Sequence, residues 1–304
     1  MFGAVALIDK PINLTSFDVV ARMRRVFRAQ VGTRVGHTGT LDPLATGLLP
    51  ICLGEATKFA QRMLDADKGY LATVKLGEAT DTADREGSII ATGPTEFSRQ
   101  NIEAPLAAFI GTISQIPPAY SALKIDGRPA YELARAGKAV TLAPREITIH
   151  SITLIDYRFE QHEFDIEVIC SKGTYIRSLA VDIGTALGTV AHLAALRRTL
   201  TGGFALSAAR PLEDWLGASE ALRAQWLLPV DSLVIDSPRL DLDETQTRDI
   251  RDGKRVHVDR KEERGASSYR LYSADQAFLG LGEFAAPDSN VLRAQRLMST
   301  ALKS

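Results

Sequence analysis

Cysteine is scarce in this chain: two residues, Cys52 and Cys170, among 304. Two cysteines make neither a disulfide framework nor a cysteine-rich zinc site, and both sit inside apolar or alternating runs, where buried free thiols are expected. Net charge is nearly absent as well, with 36 Lys and Arg against 37 Asp and Glu. That balance excludes a surface basic all over, though not a local basic groove offset by acid elsewhere. The five histidines are scattered at no metal-ligand spacing, so no metal site is expected. No dinucleotide or Walker-type glycine pattern occurs, and no cofactor is expected. The opening run from Met1 to Ile8 lacks a basic stretch, meets Asp9-Lys10-Pro11 at once and is too short for a signal core or a membrane span. The sequence thus reads as a cytoplasmic protein without membrane attachment.

What is present is a globular composition, 45% hydrophobic and 24% charged, on a chain long enough for two domains. Charge is unevenly placed. Residues 1–60 hold seven Lys and Arg against four Asp and Glu, and 245–304 hold eleven against eight, whereas 211–244 holds two against eight.

Ala4–Ile8 reads as a strand stopped by Lys10-Pro11. Thr15 or Ser16 then caps a helix reaching about Arg28, whose Arg22, Arg24, Arg25 and Arg28 read as a solvated face. Leu48–Leu53 reads as a strand, with Pro50 pointing to an edge or an end. Ala56, Phe59, Ala60, Met63 and Leu64 fall on one helical face. Tyr70, Ala72, Val74 and Leu76 alternate as a half-buried strand, as do Phe164, Ile166, Val168 and Cys170. Parity shifts between Ile147-Ile149 and Ile152-Leu154, which predicts a bulge or bend near His150-Ser151. Ile176, Leu179, Ala180, Ile183 and Leu187 mark another helix. Interleaved helices and hairpin-like strands imply an α+β fold with a mixed, largely antiparallel sheet. Prolines 229 and 238 bracket a boundary. It divides a catalytic-sized domain, 1–236, from a small β-rich one, 237–304. In the latter, Ile250–Val258 and Tyr269–Met298 read as short strands split by Gly253, Gly265 and Gly282.

The most informative stretch is Gly36–Lys58, GHTGTLDPLATGLLPICLGEATK. One carboxylate, Asp42, stands before Pro43 among glycines, five residues after His37. Gly36 and Gly39 let the backbone approach a ligand closely, and Pro43 stiffens the chain. A lone Asp-Pro in such a loop would ordinarily be a turn residue. Farther on, Thr174 reads as a helix cap, which places Arg177 in the first turn. A cation there opposes the helix dipole at a cost of about 0.3–1 kcal/mol unless an anion answers it.

The Gly36–Lys58 block resembles the catalytic segment of the TruB family of tRNA pseudouridine synthases. The similarity continues in separate blocks from Asp9-Lys10-Pro11 to Leu196-Arg197-Arg198. It implies isomerisation of the uridine at position 55 in the tRNA T-loop, with no cofactor. Asp42 would be the essential carboxylate; attack on the ring, attack on the sugar and removal of a sugar proton all remain open. The resemblance makes His37 a side chain entering the T-loop and Tyr70 the ring stacking on the target uracil. A residue on Tyr70's strand face would otherwise be read as core. Tyr175 and Leu196 would line the pocket, Arg177 would bridge to Asp42, and Lys58 would be a cationic neighbour. The run from Thr80 to Gly87 fails the EF-hand spacing, since the twelfth position from Asp81 is Thr92 and not glutamate; the resemblance makes Asp84 an RNA or pocket contact. It also implies a T-loop-binding insertion at about 117–145, with Lys124, Arg128 and Arg135 meeting phosphates, and a PUA-like C-terminal domain. Asn13 stands where glycine is common in the family, a change expected to concern a tight turn and not chemistry. The expected partner is tRNA through its T-arm, with the protein a monomer needing no protein partner. Two contrasting readings are a non-catalytic tRNA-binding or RNA-folding protein using the same pocket, and a base-removing glycosidase. The latter normally wants two cooperating carboxylates.

Overall fold

A computed structural model describes residues 2–32, 34–121, 123–125, 127–138, 140–258, 266–286 and 289–299. Strand β1 (Gly3–Lys10) is buried continuously from Ala4 to Ile8, as a strand covered on both faces must be. After Pro11 the chain turns into α1 (Ser16–Val26). Thr15 caps it: its hydroxyl accepts from the Asp18 N–H, while the Asp18 carboxylate accepts from the Thr15 N–H. Arg22, Arg25 and Arg28 are exposed, with Arg28 opening the single turn α2 (Arg28–Val31).

Strands β2 (Val35–His37) and β3 (Ala45–Gly54) follow. Pro50 lies inside β3, not at an edge. One flank of β3 pairs with β1, with Pro50 opposite Leu7; the other flank is shared. Strand β12 (Ala191–Thr201) takes Ala45–Gly47 and β2 takes 51–53, so no partner strand asks for the missing Pro50 N–H. The helix expected after β3 is split into a 3₁₀ stretch, Glu55–Phe59, and α3 (Ala60–Asp65). Ala56, Phe59 and Met63 are buried as the periodicity requires, but Leu64 is exposed.

The chain continues through β4 (Lys68–Leu76), the hairpin β5 (Glu78–Thr80) and β6 (Ile89–Thr92), α4 (Arg99–Leu106) and β7 (Gly111–Gln115). A small hairpin, β8 (Lys124–Ile125) with β9 (Arg128–Pro129), and α5 (Ala130–Arg135) lie in the segment expected as an insertion. Strands β10 (Arg145–Arg158) and β11 (Glu163–Cys170) lead to α6 (Ile176–Ala186) and β12. The short β13 (Phe204–Ala205) and β14 (Arg210–Pro211) precede α7 (Leu212–Gly217) and α8 (Glu220–Trp226). The ten-stranded sheet runs β14-β1-β3-β12-β4-β11-β10-β7, with β13 on β12 and β2 on β3. Only β1–β14 and β12–β3 are parallel. The β10–β11 register slips between Ile149 and Ser151, at the predicted bulge. Central β12 sets Leu196 opposite Ala45 and Ala72, and Arg198 opposite Gly47 and Tyr70.

The C-terminal β domain is a five-stranded sheet ordered β15-β17-β18-β19-β16 around its own core. Its strands are β15 (Arg239–Asp241), β16 (Val256–His257), β17 (Tyr269–Tyr272), β18 (Phe278–Phe284) and β19 (Val291–Leu297). Ile250 is not on a strand. It ends helix α9 (Glu244–Arg251), which Asp243 and Gln246 cap reciprocally, a polar start signal that outweighs the alternation. Gly265 lies outside the described residues. The two sheets meet where Phe59 packs on Phe278, ring centroids 5.6 Å apart, and Leu281 joins Met63 and Val234 in one cluster.

Candidate active site

The loop between β2 and β3 carries Asp42 and is fastened at every step. The Thr38 N–H donates to the Pro50 carbonyl (3.2 Å), and the Gly39 N–H donates to His37 Nδ1 (3.2 Å). Buried Ser16 holds Leu41 from both sides: its Oγ accepts the Leu41 N–H at 2.7 Å and donates to the Leu41 carbonyl at 3.2 Å. The Asn13 N–H donates to the Pro43 carbonyl (2.8 Å), and the Asp42 carbonyl accepts from the Ala45 N–H (3.0 Å). Asn13 has φ 66°, the left-handed region that glycine fills freely and asparagine tolerates. Its turn therefore grips the Asp42 loop directly, more than the tight turn alone that the sequence suggested.

Asp42 meets Arg177 on the first turn of α6, Oδ2 to Nη2 3.1 Å. The two differ in exposure. The Asp42 side chain is 39% exposed and that of Arg177 only 8%, so the carboxylate reaches into open space while its cation stays inside. Both terminal nitrogens of Arg177 are engaged. Nη1 lies 3.6 Å from Asp84 Oδ2 and donates to the Thr82 carbonyl (3.2 Å); Nη2 also donates to the Tyr120 carbonyl (2.9 Å). Asp84, itself buried, further accepts from Thr82 Oγ1 (2.6 Å) and the Glu86 N–H (3.1 Å). Two carboxylates thus answer the one guanidinium, and the objection of a cation at a helix start disappears. Thr174 is not the cap. Its hydroxyl donates to the Ser171 carbonyl, and Tyr175 occupies the cap position.

Tyr70 and Leu196 are both 9% exposed, on neighbouring strands β4 and β12. Tyr175 is half-buried at the start of α6, its backbone paired both ways with the Gln115 side chain. Burial pushes the Tyr70 and Tyr175 phenols up, so both are neutral and can donate. His37 is half-buried on β2. Burial first, and the Arg198 charge second, lower its pKa. Because Nδ1 accepts from Gly39, the ring is neutral with its proton on Nε2. Lys10, wholly buried, donates to the Pro11 and Leu14 carbonyls and thereby closes the Asn13 turn. Burial lowers it to about 8 despite the Asp42 charge.

Lys58 is not part of this group. It lies beyond the far end of β3, a ten-residue strand about 30 Å long whose near end follows Asp42. There it pairs with Glu55 (2.8 Å) and donates to Ser299 Oγ and the Leu297 carbonyl, joining the ten-stranded sheet to the C-terminal β domain. Lys124, Arg128 and Arg135 are exposed on the insertion. Sequence reasoning missed Ser16, Gln115 and Arg198. A serine beside a helix cap and an arginine in a strand carry no local signal, because their partners lie far along the chain.

Residues 24–176 match the family model described as TruB family pseudouridylate synthase (N terminal domain). Residues 177–235 match tRNA pseudouridylate synthase B C-terminal domain, and 238–298 match Pseudouridine synthase II TruB, C-terminal. A tRNA pseudouridine synthase B of Chromobacterium violaceum is 47% identical, over 92% of this chain and 90% of its own. One of Azoarcus sp. is 47% identical, over 97% and 95%. Among solved structures, a Cbf5-Nop10-Gar1 complex contains a chain 26% identical with TM-score 0.69, covering 92% of this chain and 78% of its own. An H/ACA RNP bound to a substrate RNA containing 2'-deoxyuridine contains one with TM-score 0.73, covering 98% and 85%; at 22% identity it speaks to the fold alone.

Proposed function

This chain belongs to the TruB family of pseudouridylate synthases, and on that footing we propose that it isomerises the T-loop uridine at position 55 of tRNA, with Asp42 as the reacting carboxylate. The observation that carries this reading is the contrast at the Asp42–Arg177 pair: a partly exposed carboxylate held by a buried guanidinium whose two terminal nitrogens are both bonded. Arg177 fixes the acid's direction without screening it from a ligand. The reaction breaks the glycosidic C–N bond and forms a C–C bond between the same uracil and the same sugar, so nothing is oxidised and no co-reactant is consumed.

The base must leave its stack to reach Asp42. Tyr70 offers a flat, neutral ring for the extruded uracil, a contact of about 1–3 kcal/mol, and Leu196 lies on the adjoining strand. Neutral His37, with a donor at Nε2, enters the gap in the loop. Tyr175 closes the pocket from the α6 side. Lys124, Arg128 and Arg135 on the insertion meet phosphates, and the C-terminal β domain adds RNA contact. We assign 1–236 to catalysis, with the insertion at about 117–145, and 237–304 to RNA binding. No helix among the described residues is long and apolar enough to cross a membrane. Both cysteines are free and buried, which fits a reducing, cytoplasmic compartment.

The test is Asp42→Asn with transcript tRNA as substrate. Turnover should fall by about 10³-fold or more while salt-sensitive tRNA binding persists. Mapping the modified nucleotide after incubation with the wild-type protein checks the position. Retained turnover in the variant would remove Asp42 from the chemistry, and release of free uracil would indicate a glycosidase.

A further inference from the structure

Arg198 is the largest charged side chain sealed inside the protein, 1% exposed. Among the described residues no carboxylate pairs with it. Its Nε donates to the Leu48 carbonyl at 2.8 Å, and its Nη2 donates to the Gly39 carbonyl at 3.1 Å. Leu48 lies in the part of β3 that neither β12 nor β2 covers, so the guanidinium takes the place of a missing strand there. Gly39 opens the Asp42 loop; its φ is 145°, and a Cβ built on it would stand 3.3 Å from Arg198 Nη1. Arg198 lies directly opposite Tyr70 across the β12–β4 pair. The other titratable groups around it are cationic or neutral: Lys10 on β1, Lys68 on β4 and His37 on β2.

A buried cation with no anion is costly, and an apolar side chain of the same length would fill this space more cheaply. What an apolar side chain lacks is a planar fork able to reach a loop carbonyl and a strand carbonyl together. We infer that Arg198 is a positioning residue, a buried fork that fastens the Gly39 end of the Asp42 loop to β3, on the strand position opposite Tyr70. It touches neither Asp42 nor a base entering the site. It sets the distance between the carboxylate loop and the stacking ring, and through Gly39, which it holds by the carbonyl, it also holds the neighbour of His37. Because a fixed positive charge sits behind the His37 imidazole, the same residue helps burial to keep that ring neutral.

The inference rests on the proposed role of the pocket, and its test has one arm independent of that role. In Arg198→Met, kcat on tRNA should fall about 10- to 100-fold, as a misplaced reactive group requires, with KM changing far less. The titration midpoint of His37, followed by NMR without RNA and assigned through the spectrum of His37→Gln, should move up as a neighbouring cation disappears. Arg198→Lys keeps the charge but not the fork: the His37 midpoint should stay near its wild-type position while kcat recovers only in part. Folded Arg198→Met with wild-type kcat, or with an unmoved His37 midpoint, overturns the inference, as does a rise in KM alone. If the Met variant fails to fold, the Lys variant decides: full kcat overturns the fork, and reduced kcat with an unmoved midpoint supports it. An active Asp42→Asn would remove the catalytic reading and leave the His37 result standing.

Discussion

Replacing Arg177 by Met separates the two carboxylates that share it. The substitution keeps length and apolar volume but removes the cation from Asp42 (3.1 Å) and Asp84 (3.6 Å) together. The two acids do not lose equally. Asp42, 39% exposed, recovers water, while Asp84, 5% exposed, cannot. At an effective dielectric constant near 20, a unit pair at the Asp84 distance is worth about 5 kcal/mol before desolvation, and breaking a buried pair costs about 3–5 kcal/mol net. Asp84 keeps its bonds from Thr82 Oγ1 and the Glu86 N–H, which favours the lower end, about 3 kcal/mol. Adding Asp84→Asn should then return about 2 kcal/mol, because the amide oxygen still accepts both bonds and no charge is left stranded. Turnover should not return, since Asp42 still lacks its cation. Urea unfolding of the wild type, both single variants and the double variant gives the cycle, and product formation on tRNA is measured on the same four proteins. A double variant no more stable than Arg177→Met, or one that regains turnover, would refute this division of roles.

Glu55, wholly buried, is held by Arg34 (2.5 Å), Lys58 (2.8 Å) and the Ser299 N–H (2.5 Å). Burial pushes its carboxyl up, but these bonds prevail and bring it to about 2 from an ordinary 4.5. That difference corresponds to about 3 kcal/mol of stability, present above pH 4.5 and lost as pH falls toward 2. Glu55→Gln should therefore unfold about 2–3 kcal/mol more easily near neutrality, discounting for exposed Arg34, and the gap should close between pH 4.5 and 2; a pH-independent gap in urea titrations would refute it. Ser16→Ala leaves the Leu41 N–H and carbonyl without their partner next to Asp42, and should cost about 1–3 kcal/mol in stability. It should also lower kcat more than it raises KM for tRNA, and wild-type kcat in a folded Ser16→Ala protein would show that the loop needs no such clamp.

The parts of this protein legible in its sequence are those governed by local rules. Alternation on 70–76 and 164–170 reflects strands with one face on the core, and the parity slip at His150 is a bulge because a strand's period allows no other outcome. The Thr15 cap was readable from its own four residues. Pro50 was misread because a missing donor matters only if a neighbour asks for it, and which strands flank β3 is decided by β12, some 150 residues later. Ile250 was misread because its alternation is compatible with either element, and the reciprocal cap of Asp243 with Gln246 breaks the tie. The carboxylate loop and Arg177 were visible through their resemblance to a family. Lys58 was misplaced by the same route, since adjacency in a block of sequence says nothing about which end of a long strand a residue occupies.

The site is built from side chains whose partners are distant in sequence, and this follows from where the sheet puts its centre. A carboxylate at the head of β3 can be approached from three directions: from α1 through Ser16, from α6 through Arg177, and from β12 through Arg198. Each approach closes a separate loop of chain onto the same few residues. Ser16 and Arg198 hold the backbone on either side of Thr40, and Arg177 holds the side chain of Asp42. Arg177 also bonds the Tyr120 carbonyl, at the root of the insertion, and the Thr82 carbonyl in the turn that carries Asp84. One planar group thus fixes three loops at once, and lysine has no comparable geometry because its single nitrogen cannot face four acceptors in a plane. On the proposed function, movement of the segment after Tyr120 over an RNA would be felt at Asp42 through Arg177 alone, which would link substrate binding to the direction of the carboxylate by direct bonds.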